Sequence, residues 1–321
     1  MEINDLIARV RPDIAQVMEE VAQPRKDTSF VDAIRGRVDA SMRSQLAALH
    51  DKDPNVELME TSDSFGQVPV AIFHPEARPE RAPCLMWFHG GGLIAGTYLL
   101  DYFFARHIAD AVGCAVVGVE YRLAPENPFP CGVEDGYNAL KWLSQPDGPA
   151  GFVATKIAVG GVSGGGPFAT GTALKANKGS GPMVSFQLLQ TPMLDHRSMS
   201  ESINFSMDTR TWTRDLNRAA WDLYLANLRE KGDPIPGEAS PAAEQDYSKF
   251  PPTYLSVGDV DSFRDEAIEF ARGLVRAGVP VELHMFPQCP HGGDTIVPEG
   301  NELKVRARNE YAQVLRNAFA G

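Results

Sequence analysis

Apolar positions fall into short blocks with two different rhythms. Near-continuous apolar runs at 84–88 (CLMWF), 115–120, 157–162, 184–189 and 253–257 have the length of buried strands, and 57–61, 68–73 and 279–286 also read as strands. Between them, 102–112, 133–143, 164–176 and 266–277 repeat with helical spacing, and 302–319 predicts a last amphipathic helix. Gly278 and Pro280 supply the stop before the final strand. Eight strands alternating with helices predict an α/β architecture: a mostly parallel sheet covered on both faces.

Two segments stand outside this rhythm. Residues 1–48 read as amphipathic helix, with Ile14, Val17, Met18 and Val21 at helical spacing. Residues 195–250 carry Trp212, Trp221, Tyr224 and Leu228, partly at helical spacing, then a Pro/Gly-rich stretch at 232–241, and read as an inserted helical piece with a loop.

Composition narrows the choices. With 43% apolar and 22% charged residues in 321 positions, the chain is an ordinary globular one, long enough for a large core. The formal charge of -12, from 42 acidic and 30 basic residues, argues against nucleic acid or an anionic membrane as partner. The four cysteines, Cys84, Cys114, Cys131 and Cys289, form no CxxC pair, so no zinc site is expected. Cys84 and Cys114 sit in strand-like runs and read as buried free thiols, which fits a reducing compartment. The first twenty residues carry charges throughout, and no segment approaches the roughly 20 apolar residues of a membrane span. The expected location is the cytoplasm.

Gly161-Val162-Ser163-Gly164-Gly165 follows the strand at 157–162 and precedes a helical run. This is the context of a nucleophile elbow, in which a sharp strand-to-helix turn presents the serine hydroxyl. The turn brings the residues two before and two after the serine together, and both are glycine, so no Cβ atoms collide. Taken alone, such a motif is also met in an incidental glycine-rich turn. A second motif, His89-Gly90-Gly91-Gly92, follows the strand at 84–88. Successive glycines let backbone N–H groups approach an oxyanion, so Gly90, Gly91 and Gly164 are the expected oxyanion-hole donors, with His89 structural. No GK[ST] follows, which disfavours a phosphate cradle.

Of the seven histidines, His291 lies in a loop just past the last strand, where reacting groups gather, whereas His284 lies inside that strand. His50, His74 and His107 precede the elbow, and His196 would leave only Asp195 as an intervening acid. The acid should follow the strand at 253–257, where Asp259 and Asp261 both qualify. Spacing alone does not separate them.

HGGG, Tyr121-Arg122-Leu123-Ala124-Pro125-Glu126 with Phe129-Pro130, GVSGGG, Asp261-Ser262-Phe263-Arg264-Asp265-Glu266 and His291-Gly292 occur in this order. Together they resemble the hormone-sensitive-lipase family of α/β hydrolases, in particular its heroin-esterase-like bacterial acetyl esterases. The resemblance spans about 57–319. It implies the α/β-hydrolase fold, Asp261 as the acid of a Ser163–His291–Asp261 triad, and structural roles for Tyr121, Arg122 and Glu126. It also implies a helical cap from 1–48 and 195–250 over a catalytic core of 49–194 and 251–321, and a homodimer through the last strand. The chain departs from the family pattern at Val162, Gly164, Leu93, Gly293 and Ser262, the last in place of a proline.

These readings lead to a carboxylesterase that acts on short-to-medium acyl esters through a Ser163 acyl-enzyme and needs no cofactor or metal. The alternatives are a non-catalytic small-molecule receptor on the same fold, or a lactone or amide hydrolase with the same triad. Met193, Met207, Trp212 and Trp221 are candidate pocket residues.

Overall fold

The computed structural model describes residues 9–20, 30–36, 40–206 and 210–321. One eight-stranded sheet runs through it in the order β1-β2-β4-β3-β5-β6-β7-β8. The strands are β1 (Val56–Glu60), β2 (Pro69–Phe73), β3 (Arg81–Phe88), β4 (Ala115–Val119), β5 (Val153–Val162), β6 (Phe186–Gln190), β7 (Thr253–Gly258) and β8 (Val281–Phe286). β2 is antiparallel to both β1 and β4, and every other pairing is parallel. All eight expected strands are present.

The period-two rhythm of β3 divides the core. Cys84, Met86 and Phe88 face one side, while Leu85 and Trp87 face the other. The first side is packed by helices Cys131–Leu143, Gly165–Lys178 and Arg264–Arg276, which contribute Leu140, Phe168 and Phe270. The second is packed by Tyr102–Val112 and Glu302–Ala320, which contribute Ile108, Tyr311 and Leu315. The sheet is therefore covered on both faces by the helices that the apolar spacing predicts.

Strand order also explains where a site can form. From β3 the chain steps outward to β4 and then returns to place β5 on the other side of β3. This reversal opens a crevice at the carboxyl ends of β3 and β5. Phe88 pairs with Gly161, so the loops after the two strands leave the sheet side by side.

The N-terminal expectation needs correction. Within residues 1–48 the described part is not one helix but Pro12–Glu20, Phe30–Arg35 and the start of Ala40–Lys52, which runs past residue 48. Ile14 and Met18 are buried against the second core layer, whereas Ile34 joins the first. The helices thus serve opposite faces and cannot form one continuous stripe. Val21 lies outside the described residues. The inserted segment holds helices Glu201–Asn204, Arg214–Tyr224 and Ala226–Lys231 with short 3-10 turns, in line with its reading as a helical piece.

Candidate active site

Ser163 sits on the turn between β5 and the helix that starts at Gly165, with φ at 53°, a left-handed conformation unusual for serine. The turn is tight. A Cβ on Gly161 would come within 2.5 Å of the Gly165 carbonyl oxygen, so the glycines are required by contact. Backbone bonds hold the strained residue on both sides. Its N–H donates to the Gln190 carbonyl at 2.9 Å, and its carbonyl accepts from Gly166 and Met193, each at 3.0 Å. Over-determination of this kind is what keeps a left-handed residue in place.

The expected partners converge on it. Ser163 Oγ lies 2.9 Å from His291 Nε2. His291 Nδ1 lies 3.1 Å and 3.2 Å from the two carboxylate oxygens of Asp261. The Asp261 side chain is fully buried, and its Oδ1 also accepts the Phe263 N–H at 2.8 Å. Phe263 sets its ring edge-on to the imidazole, with centroids 4.8 Å apart. Asp259 points elsewhere: it pairs with Arg9 and accepts the Gln288 N–H. None of the other histidines bonds to Ser163 among the described residues. His284 pairs with Glu310, His196 with Ser240, and His50 with the Leu46 carbonyl.

The glycine loop lies against the elbow. A Cβ on Gly90 would be 3.7 Å from Ser163 Cβ, and one on Gly164 would be 2.5 Å from Gly92 N. Among the described residues, no protein acceptor takes the N–H of Gly90, Gly91, Gly92 or Gly164. The fold sets the Gly92 amide nitrogen against residue 164, a juxtaposition that has no signal in the sequence. His89 stacks on Tyr121 with centroids 4.3 Å apart, and its carbonyl accepts the Tyr121 hydroxyl at 2.6 Å. It therefore braces the loop from below. Arg122 chelates Asp135, and Glu126 pairs with Arg35 of the second N-terminal helix, whose guanidinium also donates to the Ile94 and Ala124 carbonyls.

Around the triad, burial shapes the acidities. Asp294, three residues past His291, is enclosed beside Tyr311, and burial raises its carboxyl above the usual range. Asp101 receives the Trp87 indole N–H at 2.9 Å, and burial pushes its carboxyl up to about 7. Glu266 is buried beneath the site and accepts the Leu194 N–H, its acidity likewise weakened by desolvation. Among the described residues no group of three His, Cys, Asp or Glu side chains is placed to hold a metal ion. No described helix is long and apolar enough to cross a membrane.

The four candidate pocket residues separate. Met193 is buried directly after β6 and hydrogen-bonded to the Ser163 carbonyl. Trp212 reaches Gly92. Trp221 is fully buried against His196 and Tyr224, as a core residue. Met207 lies outside the described residues.

Comparison with known proteins agrees with this fold. Residues 85–294 match a family model described as the alpha/beta hydrolase fold. A carboxylesterase of Mycobacterium tuberculosis, NlhH, is 30% identical over 285 residues, covering 88% of this chain and 89% of its own. The solved structure of a bacterial heroin esterase is 33% identical with a TM-score of 0.84, covering 97% of this chain and 98% of that one. A gibberellin receptor of Arabidopsis thaliana is also similar, 31% identical over 69% of this chain and 65% of its own. The chain belongs to the α/β hydrolase family, in its hormone-sensitive-lipase-like branch.

Proposed function

We propose that the protein is a carboxylic ester hydrolase working through an acyl-enzyme on Ser163. The observation that carries this reading is the unbroken hydrogen-bonded line from Ser163 Oγ through His291 to buried Asp261. His291 accepts the serine proton as Oγ attacks the ester carbonyl. Asp261 holds the proton of His291 on Nδ1 and stabilises the imidazolium. The imidazolium then protonates the departing alcohol, and water repeats the sequence to release the acid. The N–H groups of Gly90, Gly91 and Gly164 receive the tetrahedral oxygen, and Gly92 adds a donor from the same loop. Each such donor contributes about 3 kcal/mol to the transition state.

The receptor alternative is weakened by the same observation, since a site that only binds needs no proton relay. In the esterase reading, residues 1–48 and 195–250 form a cap over the core of 49–194 and 251–321. Arg35 on the loops after β3 and β4 and Trp212 on Gly92 support this arrangement. β8 is the last strand of the sheet and leaves Leu283 and Met285 partly exposed, which favours a homodimer through this edge. Four free cysteines, three of them buried, fit residence in the cytoplasm.

Acetyl to about hexanoyl esters are the expected substrates, because a capped site has finite depth and the net charge of -12 disfavours anionic lipid. The test is kcat/KM for p-nitrophenyl butyrate against the palmitate ester, below the aggregation limit of the latter. A preference for butyrate is expected, and a clear preference for palmitate would overturn the substrate class.

A further inference from the structure

Two departures from the family pattern, glycine at 164 and serine at 262, meet around one residue of the inserted segment. A Cβ on Gly164 would stand 2.5 Å from Gly92 N and 2.7 Å from Leu93 N, so an alanine there requires the glycine loop to lift. The loop has little room to do so. A Cβ on Gly92 would fall on the Trp212 ring, so Gly92 has the elbow against its amide and an indole against its Cα.

Trp212 is held at its ring and at its backbone. Its Nε1–H donates to Asn217 Oδ1 at 3.0 Å, and Asn217 Nδ2 donates to Ser198 Oγ at 2.8 Å, both partners being buried. The Trp212 carbonyl lies 2.7 Å from Ser206 Oγ and 2.7 Å from Ser262 Oγ, and these hydroxyls are 2.6 Å apart. Two hydroxyl protons thus serve one triangle of oxygens. Ser262 is the residue after Asp261, so the acid loop anchors the Trp212 backbone through a hydroxyl that proline could not supply.

We propose that Trp212 is a positioning residue for the oxyanion donors, pressing Gly92 toward Gly164 so that their N–H groups converge, with Ser262 latching it to the acid loop. This rests on the esterase reading. It gives Gly164 a reason: the loop is held so close to the elbow that residue 164 has no space for a methyl group. Trp212 and Gly164 are then a matched pair, and the effect of changing one depends on the other.

The test is a cycle of Trp212→Ala, Gly164→Ala and the double variant, read with p-nitrophenyl acetate and a trifluoromethyl ketone that mimics the tetrahedral intermediate. Loss of one oxyanion donor costs about 10²- to 10³-fold, so partial misplacement in Trp212→Ala is expected to lower kcat about 10- to 100-fold. KM should stay within about threefold, and the affinity for the ketone should fall with kcat. Gly164→Ala should lower kcat at least about tenfold in the natural background but less than about threefold once Trp212 is gone. Trp212→Phe, whose shorter ring stops before the Cη2, Cζ2 and Cζ3 positions that face Gly92, should recover only part of the loss.

A Trp212→Ala protein with unchanged kcat and ketone affinity would overturn the proposal, as would an effect confined to KM or independent losses that multiply in the double variant. Should Trp212→Ala fail to fold, Trp212→Leu takes its place in the cycle under the same criteria. A natural protein that hydrolyses no ester would remove the esterase reading and this inference together. An active natural protein with an indifferent Trp212→Ala variant would remove this inference alone.

Discussion

Replacing Asp261 by asparagine exchanges one oxygen for an NH2 group and alters little else in volume. The consequence follows from the bonds around it. Phe263 N–H already donates to Oδ1 at 2.8 Å, so the amide keeps its oxygen on that side. Its NH2 then takes the Oδ2 position, 3.2 Å from His291 Nδ1, while the oxygen 3.1 Å from that nitrogen is left uncharged and already engaged by Phe263. An NH2 donor requires Nδ1 to be an acceptor and drives the ring proton to Nε2, the nitrogen 2.9 Å from Ser163 Oγ. That tautomer cannot take the serine proton, and the imidazolium also loses its counter-charge. The same substitution in a serine protease triad lowers kcat about 10⁴-fold, equivalent to roughly 5 kcal/mol of barrier, and a loss of that order is expected here. Asp259→Asn is the matched control. It weakens a partly exposed pair with Arg9, worth about 0–1 kcal/mol, and should leave kcat within about fivefold. Both variants are assayed on p-nitrophenyl butyrate, with thermal unfolding to verify the fold. A larger loss in Asp259→Asn than in Asp261→Asn would refute the reasoning.

Other consequences reach beyond the triad. Because burial pushes the Asp101 carboxyl to about 7, the folded state holds a proton that the unfolded chain, with its ordinary carboxyl near 4, has released. Stability from this group therefore declines as pH rises from about 4 to about 7. Asp101→Asn keeps an acceptor for Trp87 and should gain roughly 1–3 kcal/mol at pH 8 but little at pH 4.5; an equal gain by urea unfolding at both values would contradict this. Light scattering at micromolar concentration should give twice the chain mass, and Met285→Arg on the edge strand should halve it; a monomer in the natural protein would end the dimer proposal.

The parts of the fold that were legible are those set by local pattern. β3, β4, β5 and β7 announce themselves because strands buried on both faces are apolar almost throughout. Their ends are less legible. β3 starts at Arg81, inside a stretch that reads as turn, because Arg81 and Ala82 pair with Val153 and Ala154 of β5, ahead of the Thr155 and Lys156 that interrupt the apolar run of that strand. Ser163 and His291 can be read from glycine contacts and loop position. Asp261 cannot be separated from Asp259 without the family resemblance, since both follow β7 and only tertiary packing decides which side chain meets His291. Gly92, Trp212 and Ser262 each stand out in the sequence for a separate reason, but their mutual contacts carry no local signature, because they join three segments that are far apart in the chain.

The central claim is that Ser163 is the nucleophile, and covalent trapping tests it most directly. The protein is treated with a diethyl p-nitrophenyl phosphate, which phosphorylates an activated serine and releases nitrophenolate, and is then digested for mass spectrometry. One diethylphosphoryl group per chain, on the peptide bearing Ser163 and in step with loss of butyrate hydrolysis, is the predicted result. Ser163→Ala should take up none and lose hydrolysis by about 10⁴- to 10⁶-fold while unfolding at a similar temperature. An adduct on another residue, or a folded Ser163→Ala protein with near-normal turnover, would contradict the account.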